Sequence, residues 1–189
     1  MSLIDSSHSL NDIKSAILQV LNRAGNDKQS AFRFIIINTI SNGFPNSRYV
    51  VLRQFKTESH ELYIYTDNRS NKINEIEKNN SVSVLAYDKQ KRCQIKLKAH
   101  AYIHHQDEIA NVHWNLLHGG KESYNTKFRP GTKMGSLKEA GEMKSEVDDQ
   151  YFAVIKLEVY QAEILQLNSE GHIRALFNFK NNNASFLVP

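Results

Sequence analysis

Residues 47–78 read S-R-Y-V-V-L-R-Q-F-K-T-E-S-H-E-L-Y-I-Y-T-D-N-R-S-N-K-I-N-E-I-E-K. Two β-rich runs, Arg48 to Phe55 and Glu61 to Thr66, precede a polar turn and a short helix expected from about Ser70 to Lys78. Ser70 is a good N-cap, and Ile73 and Ile76 give that helix a narrow apolar side. Mounted on these elements are Arg48, Arg53, Ser70 and Lys72. Fixed cations, a hydroxyl and a helix N-terminus with free N–H groups are what a phosphorylated ligand needs.

Working outward, Ser9 and Asp12 resemble a capping box, and Leu10, Ile13, Ile17, Val20, Leu21 and Ala24 recur at helical spacing until Gly25. The isoleucine-rich run Phe32 to Ile40 predicts a strand joined to the next through Asn42-Gly43, with Pro45 lengthening the loop. Downstream, Val82 to Tyr87 and Arg92 to His104 are β-rich. In the second, Cys93, Ile95, Leu97, Ala99, Ala101 and Ile103 alternate with Gln94, Lys96, Lys98, His100, Tyr102 and His104, so one face is core and the other meets solvent, ligand or a partner. Asp107 to His118 predicts a helix, Gly119 to Gln150 a long mobile loop with one short helix, and Tyr151 to Leu167 (broken or bent) and His172 to Phe179 the closing strands. Six or more antiparallel strands with a few helices predict an α+β barrel in a single domain spanning residues 1–189.

Composition narrows the functional classes. With 40% hydrophobic and 23% charged residues the chain reads as globular, and no window approaches the roughly 18 apolar residues of a membrane span. The polar N-terminus lacks the pattern of a secretory signal, so a soluble cytoplasmic protein is expected, with no membrane partner. Cys93 is the only cysteine, which excludes an internal disulfide and a multi-thiolate zinc site. The net charge of +4 arises from 24 basic against 20 acidic residues with no block of like charge, so no nucleic-acid partner is expected.

If residues 47–55 form a strand, Arg48 and Arg53 point to opposite faces unless a bulge intervenes. Arg48 with Ser70 and Lys72 then forms the phosphate group, leaving Arg53 for a second anion or the substrate side; the competing reading is solvated charge on a strand and a helix start. Gln94 can donate and accept, as the edge of a flavin ring requires, though a surface glutamine looks the same. Tyr63, Tyr65 and Tyr102 suit stacking or core packing alike. His100 and His104 lie about 13 Å apart on an extended strand, beyond the reach of one ion, and His104 and His105 face opposite sides, so no metal site is expected there or with His113. Cys93 falls on the apolar face and makes no Cys-His nucleophile.

The order of these segments resembles the pyridoxamine 5'-phosphate oxidase family and its FMN-binding split-barrel relatives. The matching text is S-R-Y-V-V-L-R (47–53), I-Y-T-D-N-R-S-N-K (64–72), E-I-E-K-N-N-S-V-S-V-L (75–85), C-Q-I-K-L-K-A (93–99) and G-H-I-R-A-L-F (171–177). The resemblance implies a six-stranded split barrel, a homodimer with one FMN in each of two clefts between subunits, and hydride transfer from a small-molecule substrate. It implies that Arg48 and Lys72 grip the FMN phosphate with Ser70 and Asn71 nearby, and that Arg48, Tyr49, Val50, Val51, Leu52 and Arg53 line the flavin. Tyr65 and Thr66 would contact the cofactor, Gln94 the isoalloxazine, and Arg174 would complete the site from the other subunit. Asn71 stands where the family often has a second basic residue. Arg53 and His172 fall on the substrate side, but Glu170 replaces a substrate-phosphate arginine and Phe186 a near-terminal one, so the pattern is closer to the oxidase's relatives than to the oxidase. A non-catalytic flavin or haem carrier is the alternative, the haem version drawing on His100, His104, His105 and His172.

Overall fold

The computed structural model describes residues 2–189. Helix α1, Leu10–Asn26, begins at the expected capping box, with Ser9 and Asp12 satisfying each other's backbone N–H groups. Its apolar face, Ile13, Ile17 and Leu21, is buried in the main core. Gly25 does not stop the helix. A Cβ there would lie 3.0 Å from Gln54 Cα, so glycine lets α1 approach the adjoining strand closely.

Strand β1, Phe34–Ser41, turns directly into β2, Phe44–Lys56. Asn42 and Gly43 have φ of 50° and 82°, the two positive values of a tight hairpin, and Ser41 pairs with Phe44. Pro45 therefore does not lengthen the loop. It pairs with Ile40 in a part of β2 that has only β1 beside it, where its missing N–H costs no ladder bond. Strand β3, Glu61–Asp67, leads to α2, Asn71–Lys78; β4, Ser81–Asp88, and β5, Cys93–His105, follow. The alternation expected in β5 is present, with Cys93, Ile95, Leu97, Ala99 and Ala101 buried. Helix α3, Glu108–Leu116, starts on Asp107, whose carboxylate accepts from the Ala110 N–H.

Strand β6, Phe152–Gln166, is continuous rather than broken. It pairs with β5 along its length, with β3 through Phe152–Glu158, and then with β7, Ile173–Asn178, through Gln161–Gln166. A register shift opposite Lys98 and Ala99 marks the change of partner. The β3–β6 pairing closes β3-β2-β1-β4-β5-β6 into a six-stranded antiparallel barrel, from which β7 and a further strand, β8 (Asn183–Leu187), extend. This is an α+β split barrel. The sequence reading missed β8, whose side chains are almost all exposed and show no apolar alternation.

The segment 119–150 is tied down rather than loose. It contains a 3₁₀ turn, Lys121–Tyr124, a short helix α4, Leu137–Ala140, and a small ladder in which Lys127 N donates to Glu142 O and Lys144 N to Asn125 O, both at 2.8 Å. Beneath it a second apolar cluster joins Tyr63, Phe152 and Val154 of the barrel to Ala110, Leu117 and Tyr124. No described helix is long and apolar enough to cross a membrane.

Candidate functional site

The start of α2 abuts the end of β3, which places Lys72 over Thr66 and Ser70. The Lys72 ammonium donates to Thr66 Oγ1 at 2.8 Å and Ser70 Oγ at 3.1 Å, and those hydroxyls stand 3.2 Å apart. Thr66 and Ser70 are buried. Among the described residues Lys72 makes no ion pair. Burial, and then the nearby Arg48 charge, hold its pKa below the ordinary lysine value. Because the Ser70 hydroxyl is turned to Lys72 and Thr66, it makes no capping bond, and the first-turn amides of α2 keep no side-chain acceptor. A desolvated cation, two hydroxyls and an uncapped helix N-terminus make a donor set that fits a phosphate.

Arg48 adjoins this group but its charge is already answered. Its Nη2 donates to Glu75 Oε2 at 2.7 Å and its Nη1 to Thr39 Oγ1, which in turn donates to the same carboxylate; Asn46 Nδ2 donates to Glu75 Oε1 at 2.8 Å. Burial pushes Glu75 up, yet the bonds from Thr39, Asn46 and Arg48, with the Arg48 charge, bring its pKa below the ordinary value. Thr39, Asn46 and Glu75 are residues the sequence reading missed. No local signal marks Glu75: at about 100° per residue it falls well off the Ile73–Ile76 stripe of its helix, and it is buried against Thr39 of β1 and Asn46 and Arg48 of β2.

A sequence model of the pyridoxamine 5'-phosphate oxidase FMN-binding domain matches residues 12–105. The chain belongs to the pyridoxamine 5'-phosphate oxidase-like split-barrel family. Among solved structures, a pyridoxamine 5'-phosphate oxidase-related FMN-binding protein from Nostoc punctiforme superposes with a TM-score of 0.77 at 20% identity, covering 96% of this chain and 100% of that one. PhzG from Burkholderia lata, in complex with tetrahydrophenazine-1-carboxylic acid, gives 0.74 at 15% identity, covering 93% and 91%. General stress protein 26 from Bacillus anthracis gives 0.51 at 22%, covering 80% and 98%. At these identities the likeness is one of fold. No curated protein sequence matches the chain.

The other positions that oxidase-like proteins suggest are dispersed within one chain. Arg53 sits at a register shift between Leu52 and Gln54, the bulge that frees it from strand parity, and it reaches Tyr65 rather than the Thr39 and Glu75 side chains that hold Arg48. Its guanidinium lies 5.2 Å from the Tyr65 ring centre, and its Nε is buried without a partner. Tyr65 Oη stands 2.9 Å from His113 Nδ1, and burial holds the His113 pKa below the ordinary imidazole value. Gln94 lies on the outer barrel face in a row with Tyr87, Leu165 and Arg174. Arg174 donates to Glu163 Oε1 from Nε at 3.0 Å and Nη2 at 2.7 Å, while Lys96 Nζ stands 2.7 Å from Glu163 Oε2. His172 is exposed and lines a cleft of about 250 Å³ with Asp5, His8, Arg174 and Phe186. Tyr49 is exposed on the same outer face, Val50 and Val51 are half-buried, Leu52 is buried, and Asn71 is exposed beside Lys72.

The histidines are also separate. His104 Nδ1 pairs with Asp107 Oδ2 at 2.8 Å, His105 Nδ1 meets the Phe152 carbonyl at 3.0 Å, and the His100 ring lies tilted against Tyr160 with ring centres 5.1 Å apart. Among the described residues no three potential metal ligands gather.

Proposed function

We propose that the chain is an FMN-dependent oxidoreductase acting on a small molecule, and that it works as a homodimer. The observation that carries this reading is the half-buried Lys72 ammonium, which has hydroxyls for partners and no carboxylate, at the uncapped start of α2. Lys72, Ser70 and Thr66 would hold the FMN phosphate, and Arg48, kept in place by Glu75, would add positive field rather than a free charge. Held by these residues, FMN would supply two-electron redox chemistry. Tyr65 and the strand from Arg48 to Arg53 would support the ring, and Gln94 would donate to its polar edge. At the register shift of that strand, beside Tyr65, Arg53 would meet an anionic part of the substrate, its buried Nε being a donor in want of an acceptor.

The outer barrel face supports the dimer reading. Phe34, Tyr49 and Tyr87 are 58%, 72% and 48% exposed, and half-buried Ile36, Val51 and Leu85 share their strands and face. Covering this patch with a second copy would bring Gln94, Arg174 and His172 of that copy toward the flavin site, which one chain leaves incomplete.

The decisive experiment is the absorption spectrum of purified protein, followed by identification of the released chromophore. Bands of bound flavin and release of FMN on denaturation are expected. A colourless chain that fails to quench the fluorescence of added FMN would overturn the reading.

A further inference from the structure

The segment 119–150 reaches back across the chain to the residues that bracket Ser70. Arg129 Nε donates to the Arg69 carbonyl at 2.7 Å, and its Nη2 donates to Asn71 Oδ1, also at 2.7 Å. The residues on either side of Ser70 thus hold one guanidinium, while Ser70 itself holds the Lys72 ammonium. Arg129 is exposed and, among the described residues, forms no ion pair. A cation placed on neutral acceptors beside an anion site, with no carboxylate of its own, remains available for a charge brought from outside.

Its position is not a loose excursion. Arg69 Nη2 donates to Thr126 O at 2.8 Å, its Nε and Nη2 grip the Asp67 carboxylate at 3.1 and 2.7 Å, and its guanidinium lies 3.5 Å from the Tyr151 ring centre. Asn125, buried, accepts from Asp148 N at 3.3 Å and donates to Asp148 O at 3.2 Å, which joins the two ends of the segment. Arg129 therefore projects from a chain anchored three residues earlier at Thr126.

We infer that Arg129 is a second phosphate-binding cation, delivered to the FMN site by the 119–150 segment, so that this segment acts as a strap whose seating and cofactor binding reinforce each other. The inference rests on the flavin reading above. Its thermodynamic content is reciprocal: phosphate on Lys72 and Arg129 favours the seated strap, and the seated strap favours phosphate.

The test compares FMN with riboflavin, which has the ring but no phosphate, by quenching of flavin fluorescence in the full-length protein. Arg129→Ala is expected to weaken FMN about tenfold, the scale of a charge-assisted bond discounted for exposure, and to leave riboflavin unchanged. Arg129→Lys should restore part of the loss, and the salt dependence of FMN affinity should be shallower in Arg129→Ala than in the wild type. FMN should also slow proteolysis within 119–150 in the wild type and not in Arg129→Ala. Equal FMN affinity in wild type and Arg129→Ala would overturn the inference while leaving the flavin reading intact. Equal loss of FMN and riboflavin would also overturn it, assigning Arg129 to loop structure alone. A wild-type chain that binds neither flavin would instead defeat the flavin reading itself.

Discussion

Replacing Arg48 with alanine should damage the fold as much as any ligand site, and the size of the effect follows from Glu75. The Glu75 carboxylate is 8% exposed and Arg48 is its only ion-pair partner among the described residues. Removing one member of a buried pair costs about 3–5 kcal/mol when the other charge is left alone. Glu75 keeps its bonds from Thr39 and Asn46, so about 2–3 kcal/mol is expected here, or a drop in melting temperature of about 5–10 °C for a chain of this length. The pH dependence has a defined sign. In the wild type Glu75 has a folded pKa below its unfolded value, so its contribution is present above about pH 4.3 and fades as pH falls through the folded value. Without Arg48, burial dominates and raises the folded pKa, so acid protonates Glu75 in the folded state and relieves the defect. Urea denaturation at pH 7.5 and 5 should therefore show the Arg48→Ala deficit narrowing at the lower pH. Combining it with Glu75→Gln should recover most of the loss. If Arg48→Ala matches the wild type at pH 7.5, or if Glu75→Gln leaves the deficit untouched, the ion pair does not hold β1, β2 and α2 together as described.

Lys72→Met should have opposite effects on stability and binding. It removes a desolvated ammonium, raising the flavin-free melting temperature by a few degrees, since each kcal/mol is worth about 2–4 °C, and it should lower FMN affinity about a hundredfold; a fall in both would contradict the site. Because burial depresses the Lys72 pKa, the flavin-free wild type should gain stability as pH rises through that depressed value toward the unfolded one, a gain Lys72→Met should lack in thermal melts. Gly25→Ala sets about 1 kcal/mol of helix propensity against a Cβ pressed 3.0 Å from the Gln54 backbone; overpacking of about 1–3 kcal/mol should win, and a stabilised variant in a denaturant titration would show that α1 can shift away. The Cys93 thiol, whose pKa burial and then Asp88 push up to about 12, should resist iodoacetamide at pH 8 in the folded protein and react once urea unfolds it, as mass spectrometry can follow.

Much of the architecture is written in short-range pattern. The strict alternation from Cys93 to Ile103 sorts one strand's two faces, Ser9 and Asp12 set the start of α1, and Asn42-Gly43 selects a tight hairpin, because each depends on side chains within a few positions of one another. Ser70 and Lys72 were legible for the same reason, being two residues apart at a helix start. What decided the site lay at long range. Closure of the barrel by β3 on β6, the placing of Glu75 against Arg48 across 27 positions, and the arrival of Arg129 at Asn71 from 58 positions away have no local signature. A chain pays loop entropy once to bring such segments together, and any of many sequences can span the gap. Hence the residues able to bind an anion could be read from the chain itself, whereas which of those charges is already neutralised, and which remains free, was settled only by the packing of strands and loops around them.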